Sequence, residues 1–288
     1  MNSGPLINRL IESSLDLEEI FVNTSAALRY LRDAITERYD CGEYQLAESA
    51  IAGASHRLRP VRKALFLSDP DQFSDDASAL LNELPNLIER CDENSGRRLD
   101  RVIYTAIQAH ACVFDILVVP GAARKHIGNK FEDLIRAMLT TAGIRNRKDA
   151  LNIPYNGRTY RCEIDVIIEA RRKSGQPEQL SPDDIVVSCK ITSKDRMSKM
   201  FTDKLLMQNF IKHSMHTAAI FVHDVQRVGP AKISRTFLPG LFLVYWQFIT
   251  PLDGVFYLDP PPQIDDEAYS DKLAPFHTLL NRFGLPTR

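Results

Sequence analysis

Two segments of the sequence are the most informative about the fold: Arg161-Cys-Glu-Ile-Asp165-Val-Ile-Ile168 and, 17 residues after it, Ile185-Val-Val-Ser-Cys-Lys190. Both segments are apolar runs typical of strands that lie inside a sheet. Each run carries a charged residue, Asp165 in the first and Lys190 in the second. A charge in an apolar strand is costly unless it holds a metal ion or takes part in chemistry. The two residues therefore indicate a functional site at the edge of a sheet.

The composition is that of an ordinary soluble globular protein. The 288 residues are 44% apolar and 25% charged, with a formal net charge of -1. This balance gives no argument for nucleic-acid binding, so any basic surface must be local, as in the Lys-rich and Arg-rich window Lys190–Lys204. The five widely spaced cysteines exclude a zinc ribbon or a disulfide framework and predict reduced thiols in a cytosolic protein. The N-terminus lacks a signal-peptide pattern.

The chain changes character near Pro120-Gly121. Before this point apolar residues recur at helical spacing, so residues 1–120 are predicted to form a mainly helical region. After it, Lys130 begins an amphipathic helix that ends at Gly143, a residue suited to the position after a helix C-cap. We place the boundary between the two parts of the chain at this Pro-Gly pair.

The second part predicts alternating strands and helices. Asn156-Gly157 favours a type I′ hairpin turn, with strands over Leu151–Tyr155 and Arg158–Ala170. A third strand is predicted over Ile185–Ile191, and Ser193 is predicted to cap the helix that follows it. Further strands are predicted over Thr217–His223 and Leu241–Ile249, the second of which is too short to span a bilayer.

These elements bring acidic and basic side chains to one sheet edge. Asp165 lies in the second hairpin strand, and Ser188 shares a strand face with Lys190 two residues later. Glu132 lies on the preceding helix and Asp203 on the following one. Carboxylates can hold one or two Mg²⁺ ions, and a neighbouring lysine can orient a water molecule and stabilise charge on a phosphate. The pattern predicts hydrolysis of a phosphodiester.

The same residues resemble type II restriction endonucleases of the PD-(D/E)xK superfamily, whose common core has the order helix, three strands, helix, strand. The resemblance covers roughly residues 128–222 and is strongest to the NgoMIV/SsoII subgroup, where Ser-Cys-Lys takes the place of the usual acid-x-lysine triplet. It implies an α/β fold with a PD-(D/E)xK nuclease core, in which helices flank a mixed sheet. The predicted organisation is a helical N-terminal region (1–120, accessory or dimerisation) and a catalytic core with a C-terminal extension (121–288).

The resemblance assigns roles to residues of this chain. It implies Asp165 as the central Mg²⁺ ligand, Lys190 as the water-positioning cation and Glu132 as an auxiliary acid. Ser188 would make a minor contact, and the backbone carbonyl of Cys189 is a further candidate ligand of the metal. Asp203, 13 residues after Lys190, matches the carboxylate that this subgroup recovers from the next helix. Glu163 and Glu169 stay open as alternatives to Asp203, because alternation places both on the strand face of Asp165.

Lys194-Asp195-Arg196 follows the catalytic strand directly. Arg and Lys donate to guanine O6 and N7, and a carboxylate accepts from cytosine N4, so the cluster is a candidate for reading adjacent C·G pairs. In the resembling subgroup an Arg-acid-Arg cluster at this place reads a CCGG or CC(N)GG core. The resemblance therefore implies a target of double-stranded DNA that contains C·G pairs.

The resemblance predicts a Mg²⁺-dependent, site-specific endonuclease of bacterial restriction, located in the cytoplasm. A palindromic target predicts a homodimer or higher oligomer, and a cognate DNA methyltransferase is implied as a partner in the same system. Two alternatives stay open. One is a structure-specific PD-(D/E)xK nuclease of repair or recombination, and the other is a DNA-binding protein of the same fold without catalysis.

Overall fold

The computed structural model describes residues 4–51, 53–88, 91–170, 180–194 and 196–282. The N-terminal part contains helices and a small antiparallel sheet. Its elements in chain order are α1 (Gly4–Ile11), α2 (Leu17–Ala34), β1 (Glu37–Cys41), β2 (Tyr44–Ile51), β3 (Ala54–Arg57), β4 (Val61–Arg62), α3 (Pro70–Leu87) and α4 (Glu93–Leu117). The strands β1, β2 and β3 lie side by side, and β4 pairs with β2. The prediction of a mainly helical region missed this four-stranded sheet, in which β1, β3 and β4 have only five, four and two residues.

The second part begins with α5 (Pro120–Thr141) and a long hairpin formed by β5 (Asn146–Tyr155) and β6 (Arg158–Ile168). The elements that follow are β7 (Ile185–Thr192), α6 (Met197–Ile211), β8 (His216–His223), β9 (Val225–Gly229), β10 (Lys232–Arg235), α7 (Pro239–Phe248), β11 (Gly254–Asp259), β12 (Leu273–Pro275) and α8 (Leu279–Arg282), with short 3₁₀ turns at Pro262–Asp265 and Phe276–Thr278. The order helix, three strands, helix, strand is therefore confirmed from α5 to β8.

A six-stranded mixed sheet forms the centre, with strand order β12-β11-β8-β7-β6-β5. The hairpin pairs antiparallel with β7, whereas β7, β8, β11 and β12 run parallel. Along β8, Ala218 and Ile220 pack with the helices α2–α5, while Ala219 and Phe221 pack with α6 and α7. Because successive strand residues point to opposite faces, an apolar strand of this kind must be covered on both sides. The result is an α/β fold with helices on both faces.

Two local predictions are confirmed by backbone geometry. Asn156 and Gly157 both have positive φ, 48° and 72°, as a type I′ turn requires. Gly143 has φ 79° after the end of α5. There the Ile144 N–H donates to the Leu139 carbonyl over 2.8 Å, which is the closing hydrogen bond of a Schellman motif. This end of α5 fixes where the chain enters β5.

Two other predictions are wrong. Leu241–Ile249 is not a strand. It falls mostly in α7, because Pro239 pre-sets the first helical turn and Phe242 packs against Phe201 of α6. A short apolar run does not distinguish a strand from a helix by periodicity alone. Ser193 does not cap α6, since its hydroxyl lies 2.9 Å from that of Thr236 and the helix begins only at Met197.

The boundary at Pro120 stays a prediction. Leu117 ends α4 and Pro120 begins α5, so the Pro-Gly pair does separate two helices. One hydrophobic cluster nevertheless continues from Phe73 and Phe114 in the N-terminal part to Phe131 in α5 and Val187 in the central sheet. The two parts therefore share a core. Within the described residues, no helix is both long and apolar enough to cross a membrane.

Candidate active site

Asp165 lies at an irregularity in β6. Arg147 pairs with Ile167 and Asp149 pairs with Ile164, so two residues of β6, Asp165 and Val166, face one residue of β5. This is a β-bulge, which bends a strand and redirects its side chains, and bulges are frequent beside active sites. The residue of β5 opposite the bulge is Lys148. The bulge therefore determines which charged groups surround the Asp165 carboxylate.

The structure brings Asp165 and Lys190 together, as the sequence predicts. The Lys190 ammonium forms an ion pair with Oδ2 of Asp165, and the backbone N–H of Cys189 donates to the same oxygen over 2.9 Å. The side chain of Lys190 is 24% exposed and that of Asp165 is 14% exposed. The pair is therefore accessible from one side while the protein restricts its motion from the others. The two donors on one oxygen fix the orientation of the carboxylate.

Glu132 reaches the same place from α5. Its carboxylate pairs with the Lys148 ammonium at 2.5 Å. Burial raises the pKa of Glu132, the negative charge of Asp165 raises it further, and Lys148 and Lys190 oppose this rise. Two carboxylates and two ammonium groups thus influence one another at a single site. Because its pKa is raised, Glu132 keeps a proton more readily than an exposed glutamate does.

The remaining predicted residues lie around this centre. Ser188 is half-buried and precedes Lys190 by two residues on β7, and the Cys189 thiol is buried, with its pKa raised well above its usual range by that burial. Asp203 is paired with Lys199 one turn earlier on α6. Within the described residues, no hydrogen bond or ion pair joins Asp203 to Asp165 or Lys190.

The two alternative acids are held by other groups. Glu169 follows the end of β6 and accepts a hydrogen bond from Arg147 at 3.0 Å. Glu163 is exposed and lies 3.8 Å from Arg161. Among the described residues, no hydrogen bond or ion pair joins either carboxylate to Lys190, whereas Glu132 interacts electrostatically with both Asp165 and Lys190. The role of the alternative acids as metal ligands stays a prediction.

A cleft of about 470 Å³ opens beside Lys190 and Glu132. Its walls come from α5, from the end of β7 and from the segment before α6, and they carry mainly basic groups: Arg59, Arg124, Lys125, Lys190, Lys194 and Arg196. Arg59 is neutralised by Asp115, which accepts two hydrogen bonds from its guanidinium at 2.8 and 2.9 Å. Lys194 donates to the Gln226 side chain at 3.0 Å.

Three of the basic groups are available to an incoming ligand. Arg124, Lys125 and Arg196 are exposed, and within the described ranges none of them forms an ion pair. Since the whole chain has a net charge of -1, this positive charge is a local property of the cleft. Asp195, the middle residue of the predicted base-reading cluster, lies outside the described residues.

Sequence reasoning missed Lys148, Arg124 and Lys125. Lys125 precedes Glu132 by seven residues, which is two turns of the same helix face, so this contribution was visible in the sequence. Lys148 was not visible in this way, because its position opposite Asp165 depends on the bulge in β6.

The residues at this centre fit Mg²⁺. Within the described part of the chain, no three His, Cys, Asp or Glu side chains converge to form a complete metal site. Mg²⁺, however, usually keeps several water molecules and binds through one or two carboxylates. Asp165 and Glu132 supply two hard oxygen donors in one electrostatic environment. The donor set is therefore compatible with a largely hydrated Mg²⁺ ion.

Comparison with known proteins agrees with the fold. The sequence matches no protein-family model and no curated protein. The crystal structure of the type IIP restriction endonuclease Kpn2I is similar to this chain, with a TM-score of 0.69 at 17% identity, covering 91% of this chain and 88% of that chain. The restriction endonuclease PspGI, in complex with substrate DNA, matches with a TM-score of 0.44 at 13% identity over 74% of this chain and 90% of that chain.

The similarity to Kpn2I shows that the chain shares the mixed α/β fold of that restriction endonuclease. The fold class predicted from the sequence is therefore confirmed. At 17% identity the similarity concerns the fold alone, and the assignment to the NgoMIV/SsoII subgroup stays a prediction.

Proposed function

We propose that this protein is a type II restriction endonuclease that hydrolyses double-stranded DNA in a Mg²⁺-dependent, site-specific reaction. The observation that carries this proposal is the Asp165–Lys190 pair beside a cleft with exposed cations on its walls, Arg124, Lys125 and Arg196, which form no ion pair within the described part of the chain. Restriction-endonuclease folds host this chemistry, but function must be argued from the site. Here the site offers carboxylates, a positioned ammonium group and positive walls, which together suit a phosphodiester substrate.

The walls would hold the DNA backbone. Arg124 and Lys125 on α5 lie on the cleft at exposed positions. Phosphate contacts of this type position a duplex without reading its sequence. The chain needs no basic composition for this purpose, because the positive charge is concentrated where the phosphates would lie.

Asp165 and Glu132 would hold Mg²⁺, with the Cys189 carbonyl and Asp203 as further proposed ligands. When bound, Mg²⁺ supplies Lewis-acid stabilisation of the phosphate and lowers the pKa of a bound water molecule. The protein itself contributes three fixed elements. The Cys189 N–H orients the Asp165 carboxylate, Lys190 places positive charge where the phosphate becomes more negative, and Lys148 holds Glu132 in place.

Sequence reading is assigned to Lys194, Asp195 and Arg196. Arg196 is exposed on the cleft wall, and a guanidinium can donate to O6 and N7 of guanine. Lys194 would need to exchange its contact with Gln226 for a base edge. We propose a target with adjacent C·G pairs, of the CCGG or CC(N)GG type. The same proposal includes a palindromic target and a homodimer that binds it. It also includes a cognate methyltransferase and a location in the bacterial cytoplasm.

The test is digestion of unmethylated phage DNA by purified protein with and without Mg²⁺. We expect discrete fragments that need the metal, and no fragments with Asp165→Asn. Asp40→Asn is the matched control, because Asp40 also pairs with a lysine, Lys63, but lies on the surface of β1. Cleavage by Asp165→Asn at the wild-type rate would contradict the proposed site.

A second candidate is a DNA-binding protein of the same fold that does not cleave. It is favoured by the pairing of Asp203 with Lys199 rather than with the Asp165 centre. This candidate would be supported if the protein binds duplex DNA but leaves it uncleaved even at high protein concentration. Smeared digestion without discrete bands would instead support a structure-specific nuclease of repair or recombination.

A further inference from the structure

A second lysine, Lys148, belongs to the centre around Asp165. It lies on β5 opposite the bulge in β6, and its ammonium group pairs with Oε2 of Glu132 at 2.5 Å. Lys148 also interacts electrostatically with Asp165. This lysine therefore acts on both side chains that are proposed to hold Mg²⁺.

The charges of these side chains balance one another. Asp165 and Glu132 are acidic, and each carboxylate is paired with one ammonium group, that of Lys190 for Asp165 and that of Lys148 for Glu132. A divalent ion thus enters a centre whose carboxylates already have cationic partners. Each ammonium group repels the ion and cancels part of the attraction of its carboxylate.

The two lysines differ in where they lie. Lys190 lines the cleft of about 470 Å³ together with Glu132, so it can contact a substrate there. Lys148 lines a separate cavity of about 330 Å³ on the β5–β6 hairpin, with Arg161 and Glu163. The strand β5 is at one edge of the central sheet, and the Lys148 side chain is 45% exposed. Lys148 is therefore placed to act on the centre through Glu132.

The pair of Lys148 and Glu132 is partly shielded from water. The Glu132 side chain is only 13% exposed, so salt and water screen this pair less than a pair on the surface. A carboxylate oxygen that accepts from an ammonium group has less negative charge to offer a metal ion. Lys148 thus lowers the affinity of Glu132 for a cation even though it keeps the carboxylate in position.

We propose that Lys148 is an internal counterion of Glu132 that weakens binding of the divalent ion and so sets the Mg²⁺ concentration at which the site fills. This role rests on the proposed function, because it takes Asp165 and Glu132 as metal ligands. A purely orienting role of Lys148 predicts the opposite sign. Loss of a counterion strengthens metal binding, whereas loss of a group that only orients Glu132 weakens it.

The test measures Mn²⁺ binding to the purified protein without DNA, from the electron paramagnetic resonance signal of free Mn²⁺. Mn²⁺ is a suitable probe because it prefers the same carboxylate and water ligands as Mg²⁺. Lys148→Met keeps most of the side-chain stem and should bind Mn²⁺ at least about fivefold more tightly than the wild type, the lower end of typical coupling between two sites. Lys148→Arg keeps the positive charge and should stay close to the wild type.

A double-mutant cycle shows whether the effect passes through Glu132. Glu132→Gln removes a negative charge and should weaken Mn²⁺ binding by itself. In that background Lys148→Met should have little further effect, because Lys148 is then no longer held beside the centre. A lysine that acted through the general field would instead change the affinity equally in both backgrounds. Lys63→Met is the matched control, since Lys63 pairs with Asp40 and is 44% exposed, and it should bind Mn²⁺ as the wild type does.

Three results would overturn the counterion role: a folded Lys148→Met variant that binds Mn²⁺ no more tightly than the wild type, an equal gain in the Glu132→Gln background, or no Mn²⁺ binding by any variant. Circular dichroism and the urea midpoint establish folding, and Lys148→Gln replaces Lys148→Met if that variant does not fold.

Asp165→Asn separates this role from the proposed function. Loss of Mn²⁺ binding in Asp165→Asn without a gain in Lys148→Met would remove the counterion role and leave the metal site in place. Mn²⁺ binding that does not change in Asp165→Asn would remove both. DNA cleavage is measured separately, so neither outcome decides by itself whether the protein is a nuclease.

Discussion

Replacing Lys190 by methionine tests the proposed chemistry most directly. The substitution keeps most of the side-chain stem and removes the ammonium group that pairs with Asp165. Removing one preorganised charge-stabilising donor from an active site lowers the rate by about 10²–10³-fold, or about 2.7–4 kcal/mol. The Lys190 side chain is 24% exposed, so water screens its charge only in part. We therefore expect a loss of activity within that range.

Loss of folding must be separated from loss of chemistry. Breaking a fully buried ion pair destabilises a protein by about 3–5 kcal/mol, whereas an exposed pair contributes about 0–1 kcal/mol. Asp165 and Lys190 lie between these limits and Asp165 keeps the Cys189 N–H, so we expect about 1–2 kcal/mol of lost stability. Cleavage is measured as single-turnover nicking of supercoiled plasmid well below the unfolding midpoint. Lys63→Met, which breaks the surface pair with Asp40, is the control.

The pH dependence of DNA cleavage is a second test of the role of Lys190. Burial and the charge of Asp165 raise the pKa of Glu132, and Lys190 and Lys148 oppose this rise. Removing Lys190 takes away one opposing cation, so the pKa of Glu132 rises further. If an ionised Glu132 is needed, the acidic limb of the residual activity moves to higher pH in Lys190→Met and stays in place in Lys63→Met. Activity within tenfold of wild type, with an unchanged acidic limb, would refute the reasoning.

Three further predictions concern binding and stability. Arg124→Ala removes an exposed cation of α5 from the cleft wall, so the slope of log K for DNA binding against log salt should fall in magnitude by about 0.9. Arg227→Met should lower the free energy of unfolding by about 3–5 kcal/mol, since the buried guanidinium donates to Glu48 at 2.7 Å and to the Ala47 carbonyl at 2.7 Å. Gly143→Ala should cost about 1 kcal/mol, because φ is 79° there.

Two of these predictions have a matched control. Arg97→Ala removes an arginine that is paired with Glu93 on the surface of α4, and it should leave the salt slope unchanged. Gly128→Ala lies inside α5 with open space at its Cβ position, so it should raise stability by about 0.5–1 kcal/mol. Urea denaturation gives the free energy of unfolding of both glycine variants and of Arg227→Met. An Arg227→Met variant as stable as wild type would contradict a stabilising role for the contacts between Arg227 of β9 and strand β2.

Local signals predicted much of the core. The Asn156-Gly157 turn, the end of α5 at Gly143 and the apolar run of β7 each depend on neighbouring residues, and each is confirmed. The error at Leu241–Ile249 has a different origin. Its aromatic and β-branched residues favour a strand, but packing of Phe242 against Phe201 selects a helix. Such packing involves residues far apart in the chain, which local propensity does not record.

The candidate site also combines residues that the sequence predicted with residues that only the structure revealed. The sequence alone determined that Asp165 and Lys190 lie on neighbouring strands, because two apolar runs joined in this order pair side by side. The tertiary structure decided that Glu132 and Lys148 accompany them and that Asp203 pairs with Lys199 instead. The one-residue bulge in β6 and the packing of α5 against β7 determine which charged side chains lie beside Asp165. Both depend on the packing of the whole sheet, and no short stretch of sequence encodes them.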